Sequence, residues 1–319
     1  MSLRCAILDD YQRTARSRAN WQALEDRIDI TVFSDHLAQD SAVIARLRPF
    51  DILVIMRERT PLTAERLAGL PNLRLIVTSG MRNAGIDLVA ARQLGITVCG
   101  TGGDSRPPTE LSWALILGLA RHLTTEHTAM RTNGPWQQTV GMTLAGRTLG
   151  LVGLGNIGAR MARIAQAFEM PVMAWSEHLT RERCHEFNVT LASSLSELLE
   201  RSDIVSLHLK LSDRTRGLLG SDEIARMKPS ALLINTSRAA IVDQQAMIRA
   251  LEHGTIAGAG LDVFEQEPLP DDHILRRLSN VLTTPHLGYV ADTNYTTYFR
   301  EAVEDIEAFL AGTPIRELA

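Results

Sequence analysis

Short runs of aliphatic and β-branched residues alternate along the chain with stretches whose apolar positions recur at helical spacing. That alternation predicts parallel α/β sheets rather than a bundle or a sandwich. A first series of strands is expected near residues 4–8, 29–33, 52–56, 74–78 and 96–98, with helices over 41–47 and 86–94 between them. A second series begins at Thr148 and continues near 172–175, 203–208, 231–235, 257–262 and 280–284. Its connecting helices are expected over 157–168, 195–199, 244–253 and 274–278. Ser194 and Glu197 stand at the spacing of a capping box at the start of one of them.

Between the two series, Gly100 to Pro108 is the densest glycine and proline stretch of the chain, and we expect the hinge there. A single long helix over about 109–132 should follow, and a last amphipathic helix covers 293–310. Turn residues at 284–288 suggest that the chain crosses back before that last helix. The expected architecture is two doubly wound parallel-sheet domains: 102–286 forms one, and 1–101 with 287–319 forms the other around it. At 319 residues the length suits two such domains.

Composition removes several classes of function. A net charge of −4 without a basic run gives no footprint for nucleic acid. The longest apolar run, Trp113 to Ala120, falls far short of the roughly 20 residues of a membrane span. The N-terminus opens into Arg4-Cys5-Ala6-Ile7-Leu8, which reads as a strand and not as a signal peptide. Cys5, Cys99 and Cys184 lie far apart without metal-ligand spacing, so we expect reduced thiols in a cytoplasm and no metal.

The sharpest motif is Gly153-Leu154-Gly155-Asn156-Ile157-Gly158, which directly follows the strand at 148–152 and opens a helical stretch. The first glycine permits a tight turn, the second lets the backbone approach a pyrophosphate, and the third lets helix and strand pack closely. The helix N-terminus, with the amides around Asn156 and Ile157, offers donors and a positive dipole end to the phosphates. A bare GxGxxG also arises as a turn, but strand before and helix after are the context that dinucleotide binding requires. The residue that selects the ribose should close the next strand, and Ser176 stands there. Serine suits either cofactor. Glu177 repels a 2′-phosphate, whereas His178, Arg181 and Arg183 attract one, so the balance leans to NAD while leaving NADP open.

Three later strands each end in chemistry. Arg238 follows 231–235, with Thr236 beside it as a further cofactor contact; Asp262 and then Glu267 follow 257–261; His286 follows 281–284. In a parallel sheet these carboxyl ends share one edge, where ligands bind. Reduction of a keto acid places negative charge on the carbonyl oxygen and requires a proton, which a histidine supplies. Glu267 beside it favours the imidazolium and orients the ring. Arg238 has the planar fork that clamps a carboxylate, and Asp262 is a candidate acceptor for the nicotinamide amide. Taken singly, each has a plain structural role: a surface salt bridge, a turn cap, a loop histidine. Their combination downstream of the glycine motif points to hydride transfer.

These residues resemble the D-isomer-specific 2-hydroxyacid dehydrogenases, which include phosphoglycerate, glyoxylate and hydroxypyruvate enzymes. The matching segments are 153–158, Met227-Lys228-Pro229, Asn235 to Arg238, Gly260 to Pro268 and Thr284 to Gly288. The resemblance implies a Rossmann NAD(P)-binding domain inserted in a flavodoxin-like substrate domain, with closure over a 2-keto acid. It implies Arg238 as substrate clamp and Glu267 with His286 as the acid/base pair. It also implies a homodimer built in part from the helix after the hinge. The loop Ser79-Gly80-Met81-Arg82-Asn83 becomes the cradle whose amides hold the substrate carboxylate. Glu267 disfavours the formate dehydrogenase variant, which pairs the histidine with glutamine. The chain stops soon after its last helix, so no appended regulatory domain is expected. Three departures stand out: Ala239 and Arg82 where the family commonly has small glycine-like residues, and Tyr289 after Gly288. Arg57, Arg82 and Tyr289 are candidates to shape a pocket for a second polar or anionic group, although Arg82 also reads as an ordinary surface arginine. The competing reading is a nucleotide-sensing binding protein or corepressor on the same fold, which needs the glycine loop but not the trio.

Overall fold

The computed structural model describes residues 2–318. They divide into two compact units, one formed by the residues up to Asp104 together with those from Ala291 onward, the other by Ser105–Val290. The breaks at 104/105 and 290/291 compare with expected positions of 101/102 and 286/287.

The first unit holds β1 (Leu3–Ile7), β2 (Ile28–Val32), β3 (Ile52–Ile55), β4 (Leu75–Thr78) and β5 (Thr97–Gly100). They form one parallel sheet in the order β2-β1-β3-β4-β5, the flavodoxin-like order. The central strands are buried on both faces, as a parallel sheet covered by helices requires. Leu53, Leu62, Leu67 and Ile76 are at most 1% exposed, each worth about 1.5–3 kcal/mol in apolar burial. The helix Asp292–Leu310 belongs to this unit and buries Tyr295, Tyr298, Phe299, Val303 and Ile306. After it, Arg316–Leu318 run along edge strand β5: Gly100 N donates to Arg316 O (2.9 Å) and Leu318 N to Val98 O (2.8 Å). Arg316 is anchored by Asp305 (2.9 Å) and Glu304 (3.0 Å).

The second unit holds β6 (Leu149–Val152), β7 (Val172–Trp175), β8 (Thr190–Leu191), β9 (Ile204–Leu207), β10 (Leu232–Asn235), β11 (Gly258–Leu261) and β12 (Val281–Thr283). Their order is β12-β11-β10-β9-β6-β7-β8, all parallel, which is the Rossmann order extended by one strand. One apolar layer packs Leu198, Ile224, Met247 and Leu251 against one face. The other places Trp113, Ile116, Met161 and Ala165 against the opposite face.

Two expectations are corrected here. The hinge does not extend to residue 108, because the helix begins at Arg106 with prolines in its first turn, where a missing N–H costs nothing. The single helix over 109–132 is two, Arg106–Ala120 and Leu123–Arg131, separated by His122 in the left-handed region at φ 48°. A residue there cannot continue a right-handed helix.

Candidate active site

The glycine loop forms the turn between β6 and the helix Asn156–Ala167. Gly153 has φ +106°, and a Cβ on it would sit 2.7 Å from the carbonyl oxygen of His208. A Cβ on Gly158 would sit 2.2 Å from the Gly153 carbonyl oxygen, so strand and helix meet backbone to backbone. Gly155 is different: a Cβ there meets nothing within 4 Å. Its lack of a side chain serves no contact within the protein, but it leaves room for a ligand to lie against the backbone. The helix that follows has Gly155 as its N-cap and no side-chain cap. The amides of Asn156 and Ile157 have no acceptor among the described residues. This arrangement suits a pyrophosphate.

At the tip of β7, Trp175 O accepts from Gly153 N (2.8 Å), and Ser176 begins a turn closed by Leu179 N donating to its carbonyl (3.0 Å). At the tip of β10, the buried Asn235 organises the loop, accepting from Ser237 N (3.0 Å) and donating to Arg238 O (3.1 Å). Ser237 Oγ donates to Leu209 O. Half-buried Arg238 turns Nη1 onto Ser237 O at 2.7 Å. The Thr236 hydroxyl lies 2.7 Å from Ser112 Oγ, which itself donates to Pro108 O (2.8 Å). Thr236 therefore ties β10 to the helix Arg106–Ala120 and keeps only acceptor capacity on its hydroxyl.

The last two strand tips are joined by one carboxylate. Asp262 is 0% exposed. Its Oδ1 accepts from Thr284 Oγ1 (2.6 Å) and Leu287 N (2.7 Å), and its Oδ2 accepts from Gly288 N (2.8 Å). Burial pushes its carboxyl up, against the opposing pull of these donors and of His286. Three donors on about four lone-pair sites leave room for one more. Asp262 therefore holds both flanks of His286, a role that the sequence reading missed.

His286 has φ +52°, a strained region for a non-glycine residue and one that recurs at functional sites. Its Nδ1 lies 2.7 Å from Glu267 Oε2, and Glu267 Oε1 accepts from Phe264 N at 2.9 Å. The carboxylate is thus fixed by the backbone before it fixes the ring. Tyr289 packs edge-on against the imidazole, with centroids 5.3 Å apart. Since Nδ1 is engaged, Nε2 is the nitrogen left for proton exchange.

His208, at the tip of β9, was also missed. Its Nε2 lies 2.9 Å from Ser206 Oγ, and its amide donates to Val152 O (2.9 Å). Burial pushes its imidazole down to about 4. It follows an apolar run just as Arg238 and His286 do, so the strand-end rule would have found it.

In the first unit, the loop after β4 uses some of its own donors. Ser79 N donates to Ile55 O (3.1 Å) and Gly80 N to Thr101 Oγ1 (2.9 Å). Buried Asn83 donates to Arg57 O (2.7 Å) and Thr78 Oγ1 (2.8 Å). The amides of the exposed Met81 and Arg82 have no acceptor among the described residues. Arg57, at φ +52°, donates from Nη1 to Ser79 O (3.2 Å). Its guanidinium fills the space that a Cβ on Gly80 would need, at 2.0 Å. Arg57 and Arg82 lie in this unit, whereas Tyr289 belongs to the other.

Residues 113–288 match the D-isomer specific 2-hydroxyacid dehydrogenase NAD binding domain. The chain is 35% identical to a glyoxylate reductase of Korarchaeum cryptofilum over 91% of its own length and 89% of the relative's. It is 34% identical to a hydroxypyruvate reductase of Thermotoga maritima, covering 84% and 87%. A phosphoglycerate oxidoreductase structure from Vibrio cholerae superposes with a TM-score of 0.92 at 39% identity, covering 98% and 100%. The chain belongs to the D-isomer-specific 2-hydroxyacid dehydrogenases. It is an oxidoreductase that uses NAD(P), on the expected pairing of Rossmann and flavodoxin-like sheets. No helix among the described residues is long and apolar enough to cross a membrane.

Proposed function

We propose that the protein interconverts a small 2-keto acid and the corresponding D-2-hydroxy acid, with glyoxylate and hydroxypyruvate as first candidates because the relatives above carry those names. The observation that carries the reading is the His286–Glu267 contact, a 2.7 Å pair at the carboxyl edge of the same sheet that bears the glycine loop and Arg238. The nicotinamide, when bound, supplies or accepts the hydride. His286 Nε2 donates the proton to the nascent alkoxide and takes it back in the reverse direction. Glu267 holds the ring and offsets the imidazolium charge. Arg238 binds carboxylate and carbonyl oxygen through its fork. Gly153, Gly155, Asn156, Ile157 and Gly158 cradle the pyrophosphate, and Ser176 meets the ribose. Thr236 accepts from the cofactor, and the remaining lone pair of Asp262 receives the nicotinamide amide. In the first unit we assign the substrate carboxylate to the amides of Met81 and Arg82, on a loop braced by Ser79, Gly80 and Arg57.

One feature supports a homodimer: Met130 and Leu123 on the helix after the break, and Trp136 and Val140 beyond it, are 62%, 55%, 75% and 94% exposed. Such a group of apolar side chains marks a protein contact. Three free, buried cysteines suit a cytoplasm.

The test is a panel of keto acids assayed with NADH and NADPH, comparing wild type and His286→Ala. We expect turnover with at least one short keto acid and a loss of roughly 10²–10⁴-fold in the variant. Cofactor binding with no turnover across the panel would favour the sensing protein instead.

A further inference from the structure

We propose that the ribose end of the dinucleotide site is built for a 2′-phosphate, so that NADP(H) binds in preference to NAD(H), with Ser176 and Arg183 as its ligands. The inference rests on the dinucleotide reading above. A ribose with free hydroxyls is held by a carboxylate at the end of the second Rossmann strand, and here that place is taken by Ser176. The adjacent Glu177 is the acid that would substitute, but it is already engaged. Its Oε2 lies 3.3 Å from Arg214 Nη1, on the loop that follows β9. The same Nη1 lies 2.9 Å from His178 Nε2. Arginine has only donors, so His178 Nε2 is the acceptor in this contact. The negative charge that argued against a phosphate is thus offset, and the carboxylate is drawn toward Arg214 rather than left to receive hydroxyls.

Arg183 supplies the positive counterpart. Its Nε reaches the carbonyl of Leu154, inside the glycine loop, at 3.4 Å. Its guanidinium lies 4.4 Å from the Phe187 ring centroid, and Nη1 pairs with Glu186 at 2.6 Å. Three independent contacts fix this cation beside the phosphate-binding backbone, while its Nη2 has no acceptor among the described residues. A fixed guanidinium with spare donors, with serine rather than a carboxylate at 176, favours a phosphate dianion over a diol, because the charge-assisted bonds to phosphate are the stronger ones.

The experiment measures binding to the complete protein without turnover: NADPH and NADH by fluorescence titration, and 2′,5′-ADP and 5′-AMP by calorimetry. We expect the 2′-phosphorylated member of each pair to bind roughly tenfold tighter. Arg183→Ala should bring the ratio near one, with thermal melting confirming the fold. Glu177→Gln should widen the ratio, and Arg214→Gln, which releases the Glu177 charge, should narrow it. Wild-type protein that binds NADH as well as or better than NADPH overturns the 2′-phosphate assignment and leaves the dinucleotide site standing. Failure to bind either dinucleotide removes the site itself.

Discussion

Replacing Asp262 by asparagine tests the clamp on His286 with almost no change in volume. The carboxylate accepts from Thr284 Oγ1, Leu287 N and Gly288 N. An amide keeps one oxygen and places an NH2 group where the other was. If the oxygen faces Thr284 and Leu287, the new donor meets the Gly288 N–H, and a buried donor is left without an acceptor. That costs about 1–3 kcal/mol, and the two surviving bonds lose charge assistance. Relief from burying a charge, which raises the carboxyl in the native protein, returns part of this. A net loosening of the 284–288 loop by about 2 kcal/mol is therefore expected, which corresponds to roughly a 30-fold fall in kcat/KM for keto acid. The assay is steady-state NAD(P)H oxidation, with hydrogen exchange of the Leu287 and Gly288 amides read in parallel and cofactor affinity measured separately. A variant within threefold of wild type, with unchanged exchange at both amides, would refute the clamp. A loss confined to cofactor affinity would instead give Asp262 only its nicotinamide contact.

The glycine loop yields a contrasting pair. Gly155→Ala adds a methyl that meets nothing within 4 Å, so the melting temperature should hold while NAD(P)H affinity falls at least tenfold. Gly158→Ala drives a methyl to 2.2 Å from a backbone oxygen, and differential scanning calorimetry should show a loss of about 1–3 kcal/mol. If His286 is the proton donor as proposed, Glu267→Gln should lower kcat by at least roughly tenfold, since it removes the charge behind the imidazole, without changing the melting temperature. His208 has a native-state value of about 4, below the ~6.5 of an unfolded chain. The unfolded state therefore binds more protons in that interval, and stability should decline as pH falls from about 6.5 to 4. His208→Gln should flatten that part of a denaturation-versus-pH curve.

Both sheets were legible because parallel strands buried on two faces leave short, nearly uninterrupted apolar runs, and a polar residue ending such a run stands out. Arg238, Glu267 and His286 were picked out as candidates in this way. The break at His122 was not visible, because apolar spacing continues from Leu119 to Leu123 and neither glycine nor proline marks the left-handed residue. Pro107 and Pro108 suggested a hinge because proline signals both turns and first helical turns, and only the structure separates the two. The contacts of Asp262 with Leu287 and Gly288, of Arg183 with Leu154 and of Arg214 with Glu177 join segments far apart in sequence, which spacing does not encode.

The run of Arg316–Leu318 beside β5 bears on handling the protein. Those residues occupy hydrogen-bonding positions on a terminal strand of the five-stranded sheet, and Leu318 joins its apolar core. Trimming the chain back to Thr313 would bare unpaired backbone groups along β5, of the kind that template pairing between molecules. Affinity handles are better placed at the other end of the polypeptide, and cloudy preparations of shortened versions would trace to this exposed rim rather than to any damage in the seven-stranded sheet.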